Sequence, residues 1–262
     1  MHDSDNFISS SQNPTIKGFK KLQRKKYRDE HGLFVIENPL TIRDGIKHSA
    51  QIKELYFTLT FKEKNPDLFD DISKAALSEK RYEVADNVFA ASVSLDHPQG
   101  IAAVYEKQEE SVDITGSIVY LNGISDPGNA GAIMRSCAAF GISTVIADTE
   151  TADFYNPKTL SAAKESIFLL SLARRQYQFL VEIKKTTHVC GLDSGTGSDI
   201  KAAEFKLPVC LVFGSEAHGI SEECKQYVDT FVTIPMARNG VESLNVAGSA
   251  AIALHRLFSV TQ

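Results

Sequence analysis

Cysteine is scarce in this chain and scattered. The four residues, Cys137, Cys190, Cys210 and Cys224, never stand at the short paired spacing that metal-binding and redox motifs require. They read as reduced, buried thiols, and no metal is expected. Long apolar runs are also missing: no stretch approaches the length of a membrane span, and no positively charged start leads into an apolar signal segment. A cytoplasmic protein with no membrane partner is therefore expected. Nor is there a general surplus of positive charge. The formal net charge is −5 and the pI about 5.8, which argues against a surface that binds polyanions everywhere and leaves room for a local basic patch. Internal repeats and low-complexity tracts are absent. Gly123, Gly128 and Gly131 miss the Gly-x-Gly-x-x-Gly spacing of dinucleotide-binding folds, and the chain has no phosphate-cradling Gly-x-x-x-x-Gly-Lys-Ser/Thr loop.

What is present fits two domains of α/β type. At 262 residues and 43% hydrophobic content the chain can bury ample cores. Leu33 to Glu37, Ile52 to Thr58, Tyr82 to Val84 and Ile101 to Tyr105 read as strands, with helices over Leu40 to Lys47, led by Pro39, and over Phe69 to Leu77. Residues 1–105 thus form a small first domain. The charged stretch 106–116 ends in glycine and reads as a linker. From 117 to 262 strands and helices alternate regularly, the pattern of a mostly parallel sheet covered on both faces.

The positive charge is concentrated between Asn13 and Arg28. Seven basic residues stand there without an acidic one: Lys17, Lys20, Lys21, Arg24, Lys25, Lys26 and Arg28. An amphipathic helix with Ile16, Phe19 and Leu22 turned to a core and its lysines merely solvated explains the run; so does contact with nucleic-acid phosphates.

Three glycine-marked segments stand where apolar strands give way to small-residue turns. They are Asn122-Gly-Ile-Ser-Asp-Pro-Gly-Asn129 followed by Arg135, Val212-Phe-Gly-Ser-Glu216-Ala-His-Gly219, and Ile234-Pro-Met-Ala-Arg-Asn-Gly240-Val-Glu-Ser243-Leu-Asn245. Open α/β sheets bind ligands at such strand ends. In order and spacing the three segments resemble the motifs of the TrmH/SpoU branch of the SPOUT superfamily of RNA methyltransferases, and the match covers most of the chain.

That resemblance implies a C-terminal α/β domain tied in a trefoil knot, preceded by a ribosomal-protein-like substrate-binding domain. It implies S-adenosylmethionine as cofactor, RNA as partner, ribosomal RNA above all, and a homodimer joined through the knotted domain. Transfer of a methyl group to a ribose 2′-hydroxyl is the implied reaction. Arg135, Asn129, Glu216, Ser243 and Asn245 take the catalytic positions. Arg135 is placed near the hydroxyl as a base or, given its pKa above about 12, as a stabiliser of the developing alkoxide. Gly214, Ile234, Leu244 and Leu121, with Ser243 and Asn245, take the cofactor positions. Gly214 is expected to let the backbone approach the cofactor, and Ile234 and Leu244 to flank the adenine. Beside that resemblance, contact with RNA becomes the favoured reading of the basic run.

Taken singly, several of these residues have plainer roles. Asn129 and Ser243 are good helix caps, Glu216 an ordinary loop charge, and the small residues Ala247, Gly248, Ala250 and Ala251 serve close helix packing. The chain also departs from the family pattern. Asn38 stands where glycine usually follows the glutamate, Glu165 where glycine is usual, and the third loop is one residue longer, which brings Arg238 or Asn239 toward the pocket. Three other functions share much of this sequence logic: a non-catalytic RNA-binding protein of ribosome assembly, a tRNA methylase, and a methylase conferring antibiotic resistance through ribosomal RNA.

Overall fold

A computed structural model describes residues 6–237, 240 and 243–261. The chain forms two compact units, the first built from residues up to Lys107 together with Tyr155–Ser161, the second from Gln108–Phe154 and from Ala162 onward.

The first unit holds β1 (Phe7–Ile8), α1 (Pro14–Lys21), α2 (Lys25–His31), β2 (Leu33–Ile36), α3 (Pro39–Lys47), β3 (Glu54–Phe57), α4 (Leu59–Lys64), α5 (Pro66–Lys74), β4 (Arg81–Val84), α6 (Asp86–Ala90) and β5 (Ile101–Glu106). Its sheet runs in the order β1-β4-β3-β5-β2. β4 pairs in parallel with β1 and β3, and β5 runs antiparallel to its two neighbours. Ile16, Phe19 and Leu22 are buried as the helical periodicity predicts, against Tyr56, Val84 and Phe89. The Phe19 and Tyr56 rings lie 4.3 Å apart. At about 1.5–3 kcal/mol for each buried apolar side chain, this face fixes the helix while its lysines contribute little.

The basic run is two helices rather than one. The break falls at Leu22–Arg24, where the Arg28 guanidinium donates to the carbonyls of Leu22 (3.0 Å) and Gln23 (2.9 Å) and so takes up acceptors that a continuing helix would use. Asn38 needs no left-handed backbone: its φ is −97°, and its side chain caps α3 by accepting from the Thr41 N–H at 3.0 Å.

The second unit holds β6 (Ile118–Asn122), α7 (Pro127–Ala139), β7 (Thr144–Ala147), α8 (Pro157–Ala163), which begins in the segment grouped with the first unit, β8 (Ser171–Arg174), α9 (Leu180–Ile183), β9 (His188–Leu192), β10 (Ser198–Asp199), β11 (Val209–Gly214), α10 (Glu222–Lys225), β12 (Thr230–Thr233) and α11 (Val246–Thr261). Its seven strands are all parallel, in the order β10-β12-β9-β11-β6-β7-β8. β6, β7 and β11 are buried along their whole length, as strands covered on both faces must be. Residues 164–168 form a 3-10 turn ahead of β8, with Lys164 at φ 54°; the left-handed position is Lys164, and Glu165 follows it in the turn.

Candidate functional site

Three of the central strands end side by side. β12, β9 and β11 are consecutive neighbours, and their C-terminal ends border a cavity of about 450 Å³, within the size range of small-molecule sites. Gly214, Glu216, Ile234, Ser243 and Leu244 all stand on its wall, together with the apolar Phe213, Met236 and Val246. The sequence reading missed the third side, Leu192-Asp193-Ser194 at the end of β9. Their only sequence signal is position, a strand end followed by a Gly/Ser-rich loop. Leu121, expected at the cofactor, is not on the wall: it is wholly buried inside the sheet, paired with Phe213 and Ala147. An apolar residue within a central strand is core, and the position that reaches the cavity is Leu192, at the end of β9.

Gly214 serves the fold more directly than expected. A Cβ there would meet the carbonyl carbon of Gly219 at 2.0 Å and the nitrogen of Ile220 at 2.1 Å, so the close approach is by the chain's own turn. That turn is locked by reciprocal backbone bonds between Ser215 and Gly219, both 2.9 Å.

The three motif loops meet through side chains. The Asn129 amide nitrogen donates to Glu216 Oε1, and the Asn245 amide nitrogen donates to Asn129 Oδ1 at 3.0 Å. Asn129 is not the cap of α7. Asp126 is, accepting from the Asn129 N–H at 2.8 Å, and this leaves the Asn129 side chain free to bridge. At α11 the capping oxygen belongs to Asn245, which accepts from the Ala247 N–H at 2.9 Å, not to Ser243. A second clasp lies beneath. Buried Asn122 donates to Asp148 Oδ2 (2.8 Å) and accepts from the Ser221 N–H (2.7 Å), while Asp148 Oδ1 receives the N–H groups of Gly123 and Thr151. Asn122 thereby holds the first and second loops together, a role that sequence spacing did not reveal.

Arg135 stands apart from this cluster within its own chain. It is exposed on α7, six residues past Asn129 and hence about 9 Å farther along the helix. Among the described residues its guanidinium has no hydrogen-bond or ion-pair partner. Arg238 and Asn239 lie outside the described residues.

The basic run divides in two. Lys17, Lys20, Lys21, Arg24, Lys25 and Lys26 are exposed, and only Lys25 pairs with a carboxylate among the described residues, Asp29 at 2.7 Å. Arg28 is 2% exposed, and its guanidinium donates to two backbone carbonyls. It is a structural residue and is withdrawn from the phosphate-contacting set. The four cysteines are buried and free, and loss of hydration raises their thiol pKa values, that of Cys224 to about 12. Among the described residues no group of three or more His, Cys, Asp or Glu side chains is placed to hold a metal, and no helix is long and apolar enough to cross a membrane.

Comparison with known proteins bears on both units. The SpoU rRNA Methylase family model matches residues 116–255, and an MRM3-like substrate binding domain matches residues 13–103. The 23S rRNA (guanosine(2553)-2′-O)-methyltransferase RlmP of Bacillus subtilis is 28% identical over 95% of this chain and 98% of its own length. The 23S rRNA (guanosine-2′-O-)-methyltransferase RlmB of Ralstonia nicotianae is 29% identical over 80% of this chain and 88% of its own. The crystal structure of an AdoMet-bound rRNA methyltransferase from Sinorhizobium meliloti matches with a TM-score of 0.83 at 25% identity, covering 98% of each chain. The 116–255 match takes in all three loops joined through Asn129, Glu216 and Asn245, and the chain belongs to the SpoU rRNA methylase family.

Proposed function

We propose that the protein is an S-adenosylmethionine-dependent methyltransferase acting on a ribose 2′-hydroxyl of ribosomal RNA. The observation that carries this reading is the hydrogen-bonded chain from Asn245 through Asn129 to Glu216, which joins three loops distant in sequence at the rim of one cavity. The cavity suits the cofactor chemically. It has an apolar wall of Ile234, Met236 and Leu244 for a purine, and its charged side chains are the carboxylates of Asp193 and Glu216, with no Lys or Arg among the described lining residues. That polarity favours a cationic ligand.

S-adenosylmethionine, when bound, supplies a methyl group activated by a positively charged sulfur. The residues of the chain do the rest. Ile234 and Leu244 hold the adenine, the Gly214 turn shapes the floor, and Ser243 offers a hydroxyl to the bound molecules. Asn129, fixed at both ends of its amide, holds the Glu216 carboxylate at the place where the ribose enters. Arg135 faces the hydroxyl and stabilises the alkoxide that develops as its proton passes to water.

Because Arg135 is remote from Asn129 in its own chain, we take the working form to be a homodimer of knotted domains, joined along α7 and α11, in which a second copy completes each site. Exposed Ile252, Phe258 and Val260 on α11 and its small residues Ala247, Gly248 and Ala251 support such a face. In the first unit Lys17, Lys20, Lys21, Arg24 and Lys26 draw RNA phosphates.

Isothermal titration with S-adenosylmethionine and S-adenosylhomocysteine, followed by mapping of 2′-O-methyl groups in ribosomal RNA from cells lacking the gene, tests the reading. Saturable binding and one missing methyl restored by the protein are expected. A folded protein that binds RNA but neither cofactor nor product, and transfers no methyl group in the presence of RNA, would be a non-catalytic RNA binder. Mixing Arg135→Ala with Leu244→Arg protein should restore activity if sites are completed across the dimer; a mixture that stays inactive places Arg135 with its own chain's cavity.

A further inference from the structure

We infer that Asp193 is a cofactor-binding residue whose carboxylate receives the hydroxyls of the adenosine ribose; this rests on the cofactor reading above. Asp193 stands on the cavity wall just past β9. One carboxylate oxygen, Oδ1, is engaged by the N–H groups of Gly195 (2.8 Å) and Thr196 (3.1 Å). The other has no hydrogen-bond or ion-pair partner among the described residues. Glu216, the second carboxylate of the cavity, already accepts from Asn129. Each carboxylate of the cavity thus keeps one oxygen without a partner among the described residues, and their places in the sheet separate their roles.

The place of Asp193 in the sheet selects the ribose. β9 lies between β12 and β11, and the Asp193 N–H donates to the Val232 carbonyl of β12 at 3.0 Å, two residues before Ile234. Strands are spaced about 4.8 Å apart, so Ile234, Asp193 and Glu216 follow one another across roughly 10 Å of the cavity. With the purine against Ile234 and the reacting sulfur toward Glu216 and Asn129, the sugar between them falls opposite Asp193. An ionised carboxylate accepts short, strong bonds from hydroxyls, and an acidic residue beyond a strand end reads a ribose diol in dinucleotide-binding sheets by the same chemistry.

Two other roles for Asp193 make different predictions. A residue that only shapes the turn is replaced by asparagine without loss, because the asparagine oxygen accepts the same two backbone N–H groups. A counter-ion of the sulfonium discriminates between S-adenosylmethionine and its uncharged-sulfur product, whereas a ribose acceptor treats them alike.

The experiment is isothermal titration of the full chain, wild type and Asp193→Asn, with S-adenosylmethionine, S-adenosylhomocysteine and 2′-deoxy- and 3′-deoxy-S-adenosylhomocysteine. We expect Asp193→Asn to weaken cofactor and product by the same factor, about tenfold or more, the size of a lost bond to an ionised group. Removing a hydroxyl should weaken wild type about tenfold but the variant less than threefold. Equal discrimination against the deoxy compounds by both proteins, or a loss confined to S-adenosylmethionine, overturns the inference while leaving the cofactor reading intact. If the variant does not fold, wild type decides alone: less than twofold loss with both deoxy compounds overturns it. Failure of folded wild type to bind any of the four removes the cofactor reading and this inference together.

Discussion

The two units use polar side chains in opposite ways. In the first, Lys17, Lys20, Lys21, Arg24 and Lys26 stand in solvent on α1, α2 and the turn between them, with no carboxylate paired to them among the described residues. In the second, Asn129, Glu216 and Asn245 are bonded to one another, and Asn122 and Asp148 are locked beneath them. Unpaired surface charge attracts a polyanion over a distance and tolerates variation in where it lands. A bonded set of amides and carboxylates holds a fixed geometry, which chemistry on one atom requires. Arg135 and Arg28 each depart from the pattern of their unit: among the described residues Arg135 is an unpaired cation on the helix that carries Asn129, and Arg28 is a buried cation beside exposed ones.

The sharpest way to break this contrast is Arg135→Ala. Methyl transfer in single turnover should fall at least about a hundredfold, with S-adenosylhomocysteine binding changed less than about twofold; undiminished transfer removes Arg135 from the mechanism. Next comes the pair Arg28→Ala and Arg24→Ala, separated by four positions. Loss of the buried guanidinium should lower stability by about 2–4 kcal/mol in thermal or urea unfolding, loss of the exposed one by less than about 0.5 kcal/mol. Equal effects would show that burial does not distinguish them. A triple Lys20→Gln, Lys21→Gln, Arg24→Gln variant should then bind ribosomal RNA about tenfold more weakly at moderate salt, with the salt dependence shallower by about two to three counterions and cofactor binding unchanged. A loss independent of salt would argue against phosphate contacts.

The smallest effect concerns the thiols. Burial holds all four above the free value of about 8.5, Cys224 at about 12, so the native protein should react negligibly with thiol reagents at pH 8. Because a thiol raised on folding ionises first in the unfolded chain, the stability it contributes is complete below pH 8.5 and declines as pH rises toward the folded value. Unfolding midpoints that stay level from pH 8 to pH 10 would contradict that burial.

Much of the second unit was legible because β6, β7, β9 and β11 are short apolar runs buried on both faces, and burial leaves a plain mark on composition. The loops were legible because glycine and proline mark sharp turns. Partnership was not. Asn129 finds Glu216 at a separation of 87 residues and Asn245 at 116, and nothing local says whether its side chain caps its own helix or bridges to another loop. Arg28 looked like its neighbours because its burial is set by the fold around it, two backbone carbonyls among its partners, rather than by its own chemistry. Leu121 was misplaced since an apolar strand residue reads the same in core and in pocket, and Asp193 was overlooked in a Gly/Ser-rich loop without periodicity.

The segment Tyr155–Ser161 sets a limit on dissecting the molecule. It departs from the order of the chain to join the first unit, where the Tyr155 ring lies 4.9 Å from that of Phe34. A fragment cut after Lys107 would leave Phe34 facing water on that side, and one that begins at Gln108 would carry Tyr155 and Leu160 cut off from the residues of the first unit that shelter them. Exchange of the first unit between relatives is therefore a two-piece graft, with Tyr155–Ser161 moved together with everything up to Lys107.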